Sequence, residues 1–327
     1  MADEDHARLE DFARAALPAY GVEPTARLTL LNVSENATFR LDDESGPSII
    51  RVHREGYHSR AAIESELAWI AALRDSGMVR TPPFLATVTG DPVAVATLPD
   101  GGWRHVVRFG WVEGVEPTQD RLNEDFVQLG SIAARLHGHA KSWTRPAGFT
   151  RFTWDFETGL GPNGHWGSWR DGMGMTPDIL AVLDRCAARV GERLQAFGQG
   201  PDRFGLIHAD MRLANLLVNG PDVTVIDFDD CGLSWFMYDL GSAVSFFEHE
   251  PHVPALCDAW VRGYRSVAPL SAADEAEIPT FVMYRRLLLI AWIGSHSSTD
   301  LAQSMGVQYT QDAVPLAESY LSLTFAS

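Results

Sequence analysis

Cysteine is scarce in this sequence, and the few cysteines are not arranged as metal ligands or as a disulfide framework. The 327 residues include Cys186, Cys231 and Cys257, an odd number at spacings that fit neither paired zinc motifs nor disulfide patterns. A zinc-finger class and a disulfide-stabilised secreted class are therefore excluded as interpretations. Scattered free thiols indicate a reducing compartment, and we expect the protein to be cytoplasmic.

Basic residues are also in short supply. The chain has 26 Lys and Arg residues against 43 Asp and Glu residues, which gives a formal net charge of −17. A surplus of negative charge repels polyanions, so a nucleic-acid polymer is excluded as a general partner. Cationic small molecules would instead be attracted, although the same charge also serves solubility.

A long hydrophobic run is absent as well. The longest apolar stretch, Leu287–Ile293, is far too short to cross a bilayer, and Met1–Glu10 is acidic rather than basic and then apolar as in a secretion signal. We therefore expect no membrane partner.

The apolar residues that are present predict a large folded core. Hydrophobic residues make up 46% of the chain, and 327 residues exceed the usual size of one core, so two lobes are expected. Strand-like runs come first and long helical patterns follow. The predicted class is α+β, with a small antiparallel-sheet lobe in residues 1–110, a connection near 110–116 and a larger, mainly helical lobe in residues 117–327.

Individual elements can be placed from periodicity and turn residues. The predicted helices are Asp11–Ala19, Ser59–Ser76, Asn123–His139 and Pro177–Phe197, and Trp143–Met175 is predicted to be a long ordered loop. The predicted strands are Leu28–Leu31, Thr38–Leu41, Ser48–His53, Val93–Thr97, His105–Phe109, Phe204–His208, Leu216–Val218 and Val223–Ile226.

The segment His208–Asp227 carries the clearest chemical signal. Asp210 and Asn215 lie on a loop between two predicted strands, and Asp227 ends the strand after that. The turn residues Asn219–Gly220 predict a hairpin, which would fold the three polar side chains toward one place. Convergence of polar residues at strand ends indicates a site.

Phosphoryl transfer requires this set of side chains. A carboxylate accepts the proton of the attacking hydroxyl, and hard oxygen ligands hold Mg²⁺ against the phosphates. Asp210 is the predicted proton acceptor. Asn215 and Asp227 are the predicted metal ligands, because Mg²⁺ prefers carboxylate and carbonyl oxygens to sulfur or several imidazoles.

The pattern His208-x-Asp210-x4-Asn215 followed by Ile226-Asp227-Phe resembles the aminoglycoside phosphotransferase and choline kinase superfamily, relatives of the protein kinases. The resemblance covers about residues 25–300. It implies a protein-kinase-like bilobal fold, ATP and Mg²⁺ as cofactors, and transfer of the γ-phosphoryl group to a hydroxyl of a small molecule. Acceptors in the family include aminoglycosides, amino alcohols, sugars and homoserine. The resemblance also implies supporting roles for His208, as a brace, and Asp239, as an anchor of the loop backbone.

A clamp for the nucleotide phosphates is expected in the first lobe. Arg51 stands where the family usually has lysine. The planar guanidinium of arginine changes the reach of the side chain and the geometry of its contact with the nucleotide phosphates. Glu66 rather than Glu64 is its predicted partner, because Glu66 shares a helix face with Ile63 and Ile70 while Glu64 faces solvent. A carboxylate among apolar residues requires such a partner.

The remaining nucleotide contacts are predicted from the resemblance. The phosphate-covering segment Leu31–Phe39 has no glycine, and Ser34 and Asn36 are the candidates there, with a plain β-turn as the other possibility. The segment containing Phe109, Gly110, Trp111 and Val112 resembles the family's connection that meets the adenine through its backbone. An ordinary apolar edge strand is the alternative.

The acceptor cannot be chosen from the fold alone. Trp154, Trp166, Asp155, Asp229 and Asp230 are predicted to line a pocket for a polyhydroxylated or cationic molecule, while core packing and loop closure are the alternative roles. Two other functions stay open here. One is a Ser/Thr protein kinase, which the lack of an Ala-Pro-Glu-like anchor after Asp227 disfavours. The other is a nucleotide-binding regulatory module without catalysis.

Overall fold

The computed structural model describes residues 2–34, 36–118, 121–297 and 299–325. The chain forms two compact units. The first takes the described residues of Met1–Val115, Arg145–Arg151 and Leu217–Asp229, and the second takes those of Glu116–Thr144, Phe152–Leu216 and Asp230–Ser327. The predicted α+β class is confirmed, with a sheet-rich first unit and a helical second unit.

An antiparallel sheet organises the first unit. Its strands run in the order β1-β2-β3-β6-β4, with β5 also paired to β6. The central strand β3 places Arg51 opposite Thr38 of β2 and opposite Val107 of β6. The strands are β1 (Arg27–Val33), β2 (Ala37–Asp43), β3 (Gly46–Val52), β4 (Phe84–Leu85), β5 (Ala94–Thr97) and β6 (Trp103–Gly110).

Two helices accompany this sheet. Helix α1 (Ala2–Ala16) contributes Phe12 to a core that includes Phe39 and Ile50 of the sheet. Helix α2 (Arg60–Ser76) begins after Ser59, whose hydroxyl accepts the Ala62 N–H, and it ends at Gly77 in the left-handed region (φ +66°). Its apolar face, Ile63, Leu67, Ile70 and Leu73, is buried.

The predicted hairpin is confirmed as β8 (Leu216–Asn219) and β9 (Asp222–Val225). From Leu217 onward it belongs to the first unit although its sequence neighbours do not. Backbone bridges from Val218 to Val115 and from Thr224 to Arg80 hold it there. Asp227 follows this hairpin and is therefore part of the first unit.

The second unit is built on helices around the almost fully buried α9. A two-stranded sheet of β7 and β10 joins them. The elements are α3 (Leu122–Ser142), α4 (Phe156–Leu160), α5 (Pro177–Phe197), β7 (Phe204–Ile207), β10 (Gly232–Trp235), α6 (Tyr238–Ala243), α7 (Val253–Arg265), α8 (Ala272–Ala276), α9 (Ile278–Ser295) and α10 (Asp300–Ser322). Helix α10 has a kink at Gly306.

Helices α3 and α7 cross with their backbones in contact. A Cβ atom added to Gly130 would collide with the carbonyl oxygen of Trp260, and one added to Gly263 would collide with that of Val127. Only glycine permits this approach. The crossing fixes the position of α3, which carries His137.

Several predicted bounds differ from the structure. The first helix begins at Ala2 rather than Asp11. Strand β10 and the short helix α4 were not predicted, because elements of four or five residues show no usable periodicity. The sequence predicts one boundary near 110–116. The first segment of the first unit ends at Val115, and this unit also includes Arg145–Arg151 and Leu217–Asp229.

Among the described residues, no helix is long and apolar enough to cross a membrane.

Candidate active site

The loop that carries Asp210 begins where β7 ends, and Asp239 holds its backbone. The carboxylate of Asp239, which is fully buried in α6, accepts the N–H of His208 at 3.3 Å and that of Ala209 at 2.8 Å. Ala209 has a left-handed backbone (φ +68°), which is unusual for a residue with a side chain. These two bonds are the contacts that the predicted anchoring role of Asp239 requires, and the role itself stays a prediction.

Two histidines support this anchor. His137 of α3 donates from Nε2 to Asp239 Oδ2 at 2.9 Å, and its Nδ1 then accepts the hydroxyl of Tyr264 at 3.1 Å. His208 is buried, and its Nδ1 accepts the N–H of Asp210 at 3.3 Å. This bond fits the predicted brace at His208, which stays a prediction.

Three side chains hold the carboxylate of Asp210. Arg285 donates to Oδ1 at 2.6 Å, and Arg212 donates from Nε to both oxygens at 3.1 Å. Asn215 donates to Oδ2 at 2.8 Å and to the Asp210 carbonyl oxygen at 2.8 Å. The carboxylate is thus oriented by its own loop on one side and by α9 on the other.

The charges around Asp210 keep it ionised. Burial alone would raise its pKa, but Arg212, Arg285 and His208 outweigh burial and lower the pKa to about 2. A carboxylate with so low a pKa positions a hydroxyl and receives its proton late, when the bond to phosphorus has formed. That behaviour suits phosphoryl transfer, whose transition state is loose.

The predicted metal ligands have the chemistry of a magnesium site. Asn215 uses its amide N–H₂ on Asp210, and no described residue donates to its Oδ1, which leaves that oxygen for a cation. Asp227 has a left-handed backbone (φ +60°) and an exposed side chain. No group of three or more His, Cys, Asp or Glu side chains among the described residues could hold a metal. An amide oxygen and a carboxylate are each hard oxygen ligands of the kind that Mg²⁺ accepts beside waters and substrate phosphates.

The predicted pair of Arg51 and Glu66 is confirmed. Arg51 Nη2 donates to Glu66 Oε1 at 2.7 Å, and both side chains are buried. Burial alone would lower the pKa of Arg51, but the carboxylates of Glu66, Asp229 and Asp227 raise it further. Among the described residues Arg51 donates one hydrogen bond, so it keeps N–H groups that can bind phosphate oxygens.

We expect Glu66→Ala to lower the free energy of unfolding by about 3–5 kcal/mol, because it leaves the buried charge of Arg51 unpaired. Glu64→Ala is the matched control: Glu64 lies on the same helix and pairs with Arg60 at 2.7 Å, but both side chains are about 40% exposed. An exposed pair contributes roughly 0–1 kcal/mol. Urea unfolding of both variants measures the difference, and equal losses would contradict the assignment of Glu66.

The other predicted nucleotide contacts all lie in the first unit. Ser34 donates its N–H to the carbonyl oxygen of Asn36 at 3.0 Å, and Asn36 Oδ1 accepts the N–H of Arg54 at 3.1 Å. These bonds order the turn on both sides of residue 35, which lies outside the described residues.

The connecting segment has contacts on both of its aromatic residues. Phe109 lies under the guanidinium of Arg51 at 4.9 Å, and Gly110 donates its N–H to Pro83 at 2.7 Å. Trp111 donates to Glu113 at 2.9 Å, and the half-buried Val112 follows it.

Four of the five predicted acceptor residues lie in the second unit. Asp155 caps α4 by accepting the Thr158 N–H at 2.9 Å. Trp154 is fully buried and donates from Nε1 to the Asp230 carbonyl oxygen at 2.8 Å, while its ring lies 4.8 Å from that of Trp166. The Asp230 carboxylate is half-buried.

Asp229 is the one predicted acceptor residue that belongs to the first unit. Its buried carboxylate is 3.7 Å from His53 Nδ1 and 3.7 Å from His58 Nε2. Burial alone would raise its pKa, but His58, Arg51, His53 and Arg151 lower it to about 2. Asp229 is therefore a buried anion among imidazoles.

Sequence reasoning missed Arg212, Arg285 and Tyr238. Arg285 is 75 residues from Asp210 and lies in the apolar helix α9. A signal was present, since charged residues in an otherwise apolar helix require buried partners. The identity of those partners could not be read from spacing.

Comparison with known proteins places the chain among kinases. The model of the phosphotransferase enzyme family matches residues 28–273. The solved structure of a microcompartment-associated aminopropanol kinase has a TM-score of 0.88 and 47% identity, and the match covers 95% of this chain and 97% of that one. A solved amicoumacin kinase in complex with AMP-PNP and Ca²⁺ has a TM-score of 0.75 at 22% identity and covers 96% of each chain.

A curated relative is also named as a kinase. Amicoumacin kinase of Bacillus subtilis is 25% identical over 282 residues, which is 82% of this chain and 79% of that protein. These similarities confirm the predicted protein-kinase-like fold and the predicted family resemblance.

Proposed function

Because the chain belongs to the phosphotransferase enzyme family and is a kinase of small molecules, we propose that it transfers the γ-phosphoryl group of ATP to the hydroxyl group of a short amino alcohol. The observation that carries the proposal is the 47% identity, over 95% of this chain, to an aminopropanol kinase. The products are ADP and the phosphate ester of the amino alcohol.

Each part of the reaction has a candidate residue. Asp210 orients the acceptor hydroxyl and receives its proton. Asn215 and Asp227 would be the ligands of Mg²⁺, which would neutralise charge on the phosphates. The low pKa of Asp210 and the unused oxygen of Asn215 support these roles.

The nucleotide binds to the residues of the first unit that the sequence predicts as its contacts. Arg51, oriented by Glu66, binds its phosphates, with the turn of Ser34 and Asn36 covering them. The backbone of 109–112 meets the adenine. The spare donors of Arg51 support its part of this proposal.

The ammonium group of the acceptor requires an anion, and Asp230 is our candidate. Asp155 is engaged as a helix cap and Asp229 is buried in the first unit. Burial raises the pKa of Tyr238 to about 12, and the charge of Asp230 adds to that rise. Asp230 therefore acts electrostatically on Tyr238, whose hydroxyl shares Arg285 with the carboxylate of Asp210.

We expect Asp230→Asn to raise KM for 1-amino-2-propanol by about 10–100-fold, the loss of one charge-assisted hydrogen bond. KM for propane-1,2-diol, which has no ammonium group, should not change. Asp155→Asn tests the rival acid, and because asparagine caps helices as well as aspartate does, KM should stay as in the wild type. Steady-state kinetics on both acceptors measures this. A matching rise of KM for the diol would contradict the assignment.

The proposed activity is tested with purified protein, MgATP and a panel of acceptors. The panel contains 1-amino-2-propanol, ethanolamine, homoserine, an aminoglycoside and a Ser/Thr peptide. ADP release gives kcat/KM, and phosphorus NMR locates the ester on the product. We expect the highest kcat/KM with an amino alcohol, and a preference for any of the other acceptors would overturn the proposal.

A further inference from the structure

Arg285 uses all its nitrogens inside the second unit. Its side chain is 2% exposed and donates from Nε to Ser245 Oγ at 2.8 Å. Nη1 donates to the hydroxyl of Tyr238 at 2.8 Å and to the carbonyl oxygen of Ala209 at 3.3 Å. Nη2 donates to Asp210 Oδ1 at 2.6 Å. A guanidinium with so many fixed partners cannot change position without breaking several bonds together.

These bonds complete a clamp on the peptide group before the proton acceptor. The N–H of Ala209 is held by Asp239, and its carbonyl oxygen is held by Arg285. The left-handed backbone of Ala209 persists only when its surroundings fix it. Arg285 therefore fixes both the backbone that leads into Asp210 and one oxygen of its carboxylate.

The other arginine at Asp210 is held less firmly. Arg212 shares one N–H between both carboxylate oxygens at 3.1 Å, and its side chain is 27% exposed. If Arg212 withdraws, the carboxylate gains room for a hydroxyl donor. Arg285 and Asn215 still hold one oxygen each, so the carboxylate keeps its orientation.

We propose that Arg285 is a positioning residue for the transfer step, which fixes the carboxylate of Asp210 toward the acceptor hydroxyl. The role rests on the proposed function. In the step, the acceptor oxygen forms a bond to the γ-phosphorus while the bond from that phosphorus to the β–γ bridging oxygen breaks. The hydroxyl proton passes to Asp210, and the bridging oxygen leaves with ADP. Arg285 touches neither substrate and acts through Asp210.

Arg286 provides a matched control for this role. It is the next residue on α9, it is fully buried, and it pairs with the buried Glu248 at 2.9 Å. Its other described partners include the Tyr309 carbonyl oxygen, and none of them is Asp210. Removing either arginine takes a positive charge away from a buried carboxylate, so both variants lose stability. Only the loss of Arg285 removes a hydrogen bond from Asp210.

The test compares Arg285→Ala, Arg285→Lys and Arg286→Ala with the wild type. We expect Arg285→Ala to lower kcat by about 100-fold, the typical effect of misplacing a catalytic group by 1 Å. KM for the amino alcohol and the dissociation constant of MgATP should change less than about twofold. Arg285 touches neither substrate, so its loss removes no contact that binds them in the ground state. Arg285→Lys and added methylguanidinium should each restore part of kcat. Per folded molecule, Arg286→Ala should keep the wild-type kcat.

Each outcome bears on the inference separately from the proposed function. If the wild type does not phosphorylate an amino alcohol, the proposed function fails, and the same variants are compared by their slow ATP hydrolysis, in which water is the acceptor. Equal losses of kcat in the two alanine variants, or a change in KM alone, would overturn the role of Arg285. A crystal structure of Arg285→Ala is independent of any acceptor. An unmoved Asp210 carboxylate there would also overturn it.

Discussion

Asp210→Asn is expected to lower kcat by about 10²–10⁴-fold, the contribution of a positioned general base. Asparagine keeps the shape of the side chain and can still accept a hydrogen bond from Arg285, but its amide nitrogen cannot accept the proton of a hydroxyl. Binding of MgATP should persist, because none of the described contacts of Asp210 is to Arg51 or Glu66, the proposed phosphate-binding pair. Calorimetric titration with MgATP and initial rates measure the two effects.

Asp227→Ala serves as the comparison for this variant. We propose Asp227 as a metal ligand, so its loss should weaken binding of MgATP rather than turnover alone. A pair of variants that separates turnover from binding in this way would support the division of roles. Loss of MgATP binding in Asp210→Asn to the same degree as in Asp227→Ala would contradict it.

Asp239→Ala is expected to lower the free energy of unfolding by about 3–5 kcal/mol. The carboxylate is fully buried, and its removal leaves the N–H groups of His208 and Ala209 and the ring of His137 without their acceptor. The left-handed backbone at Ala209 loses its support at the same time. Urea unfolding followed by circular dichroism measures the loss.

Asp178→Ala is the control for that variant. Asp178 also lies in the first turn of a helix, α5, but its side chain is exposed. A surface substitution of this kind should stay within about 0.5 kcal/mol of the wild type. A loss at Asp239 no larger than the loss at Asp178 would show that the aspartate acts only through the helix dipole.

The sequence predicts the parts of the site that depend on local spacing. The positions of Asp210 and Asn215 on one loop follow from strand ends, and the choice of Glu66 over Glu64 follows from helical periodicity. The anchoring role of Asp239 was predicted from family resemblance, and its carboxylate accepts a backbone N–H of the loop. In each case the partners lie on neighbouring elements or on a motif with fixed order.

Contacts between distant segments could not be predicted in this way. Arg285 reaches Asp210 across 75 residues, and periodicity shows only that a helix is buried, not which loop its polar residues meet. The membership of Leu217–Asp229 in the first unit has the same cause, because two short backbone bridges decide it. Short elements such as β10 form through pairing with β7 and leave no pattern of their own.

The crossing of α3 and α7 limits which positions of this enzyme can be substituted during evolution. Since the two backbones meet at Gly130 and Gly263, even one methyl group at either position would force the helices apart. His137 lies about two turns along α3 from Gly130, so such a shift would be carried to Asp239 and to the loop that it anchors. Whatever residues select the acceptor, these two positions must stay without a side chain.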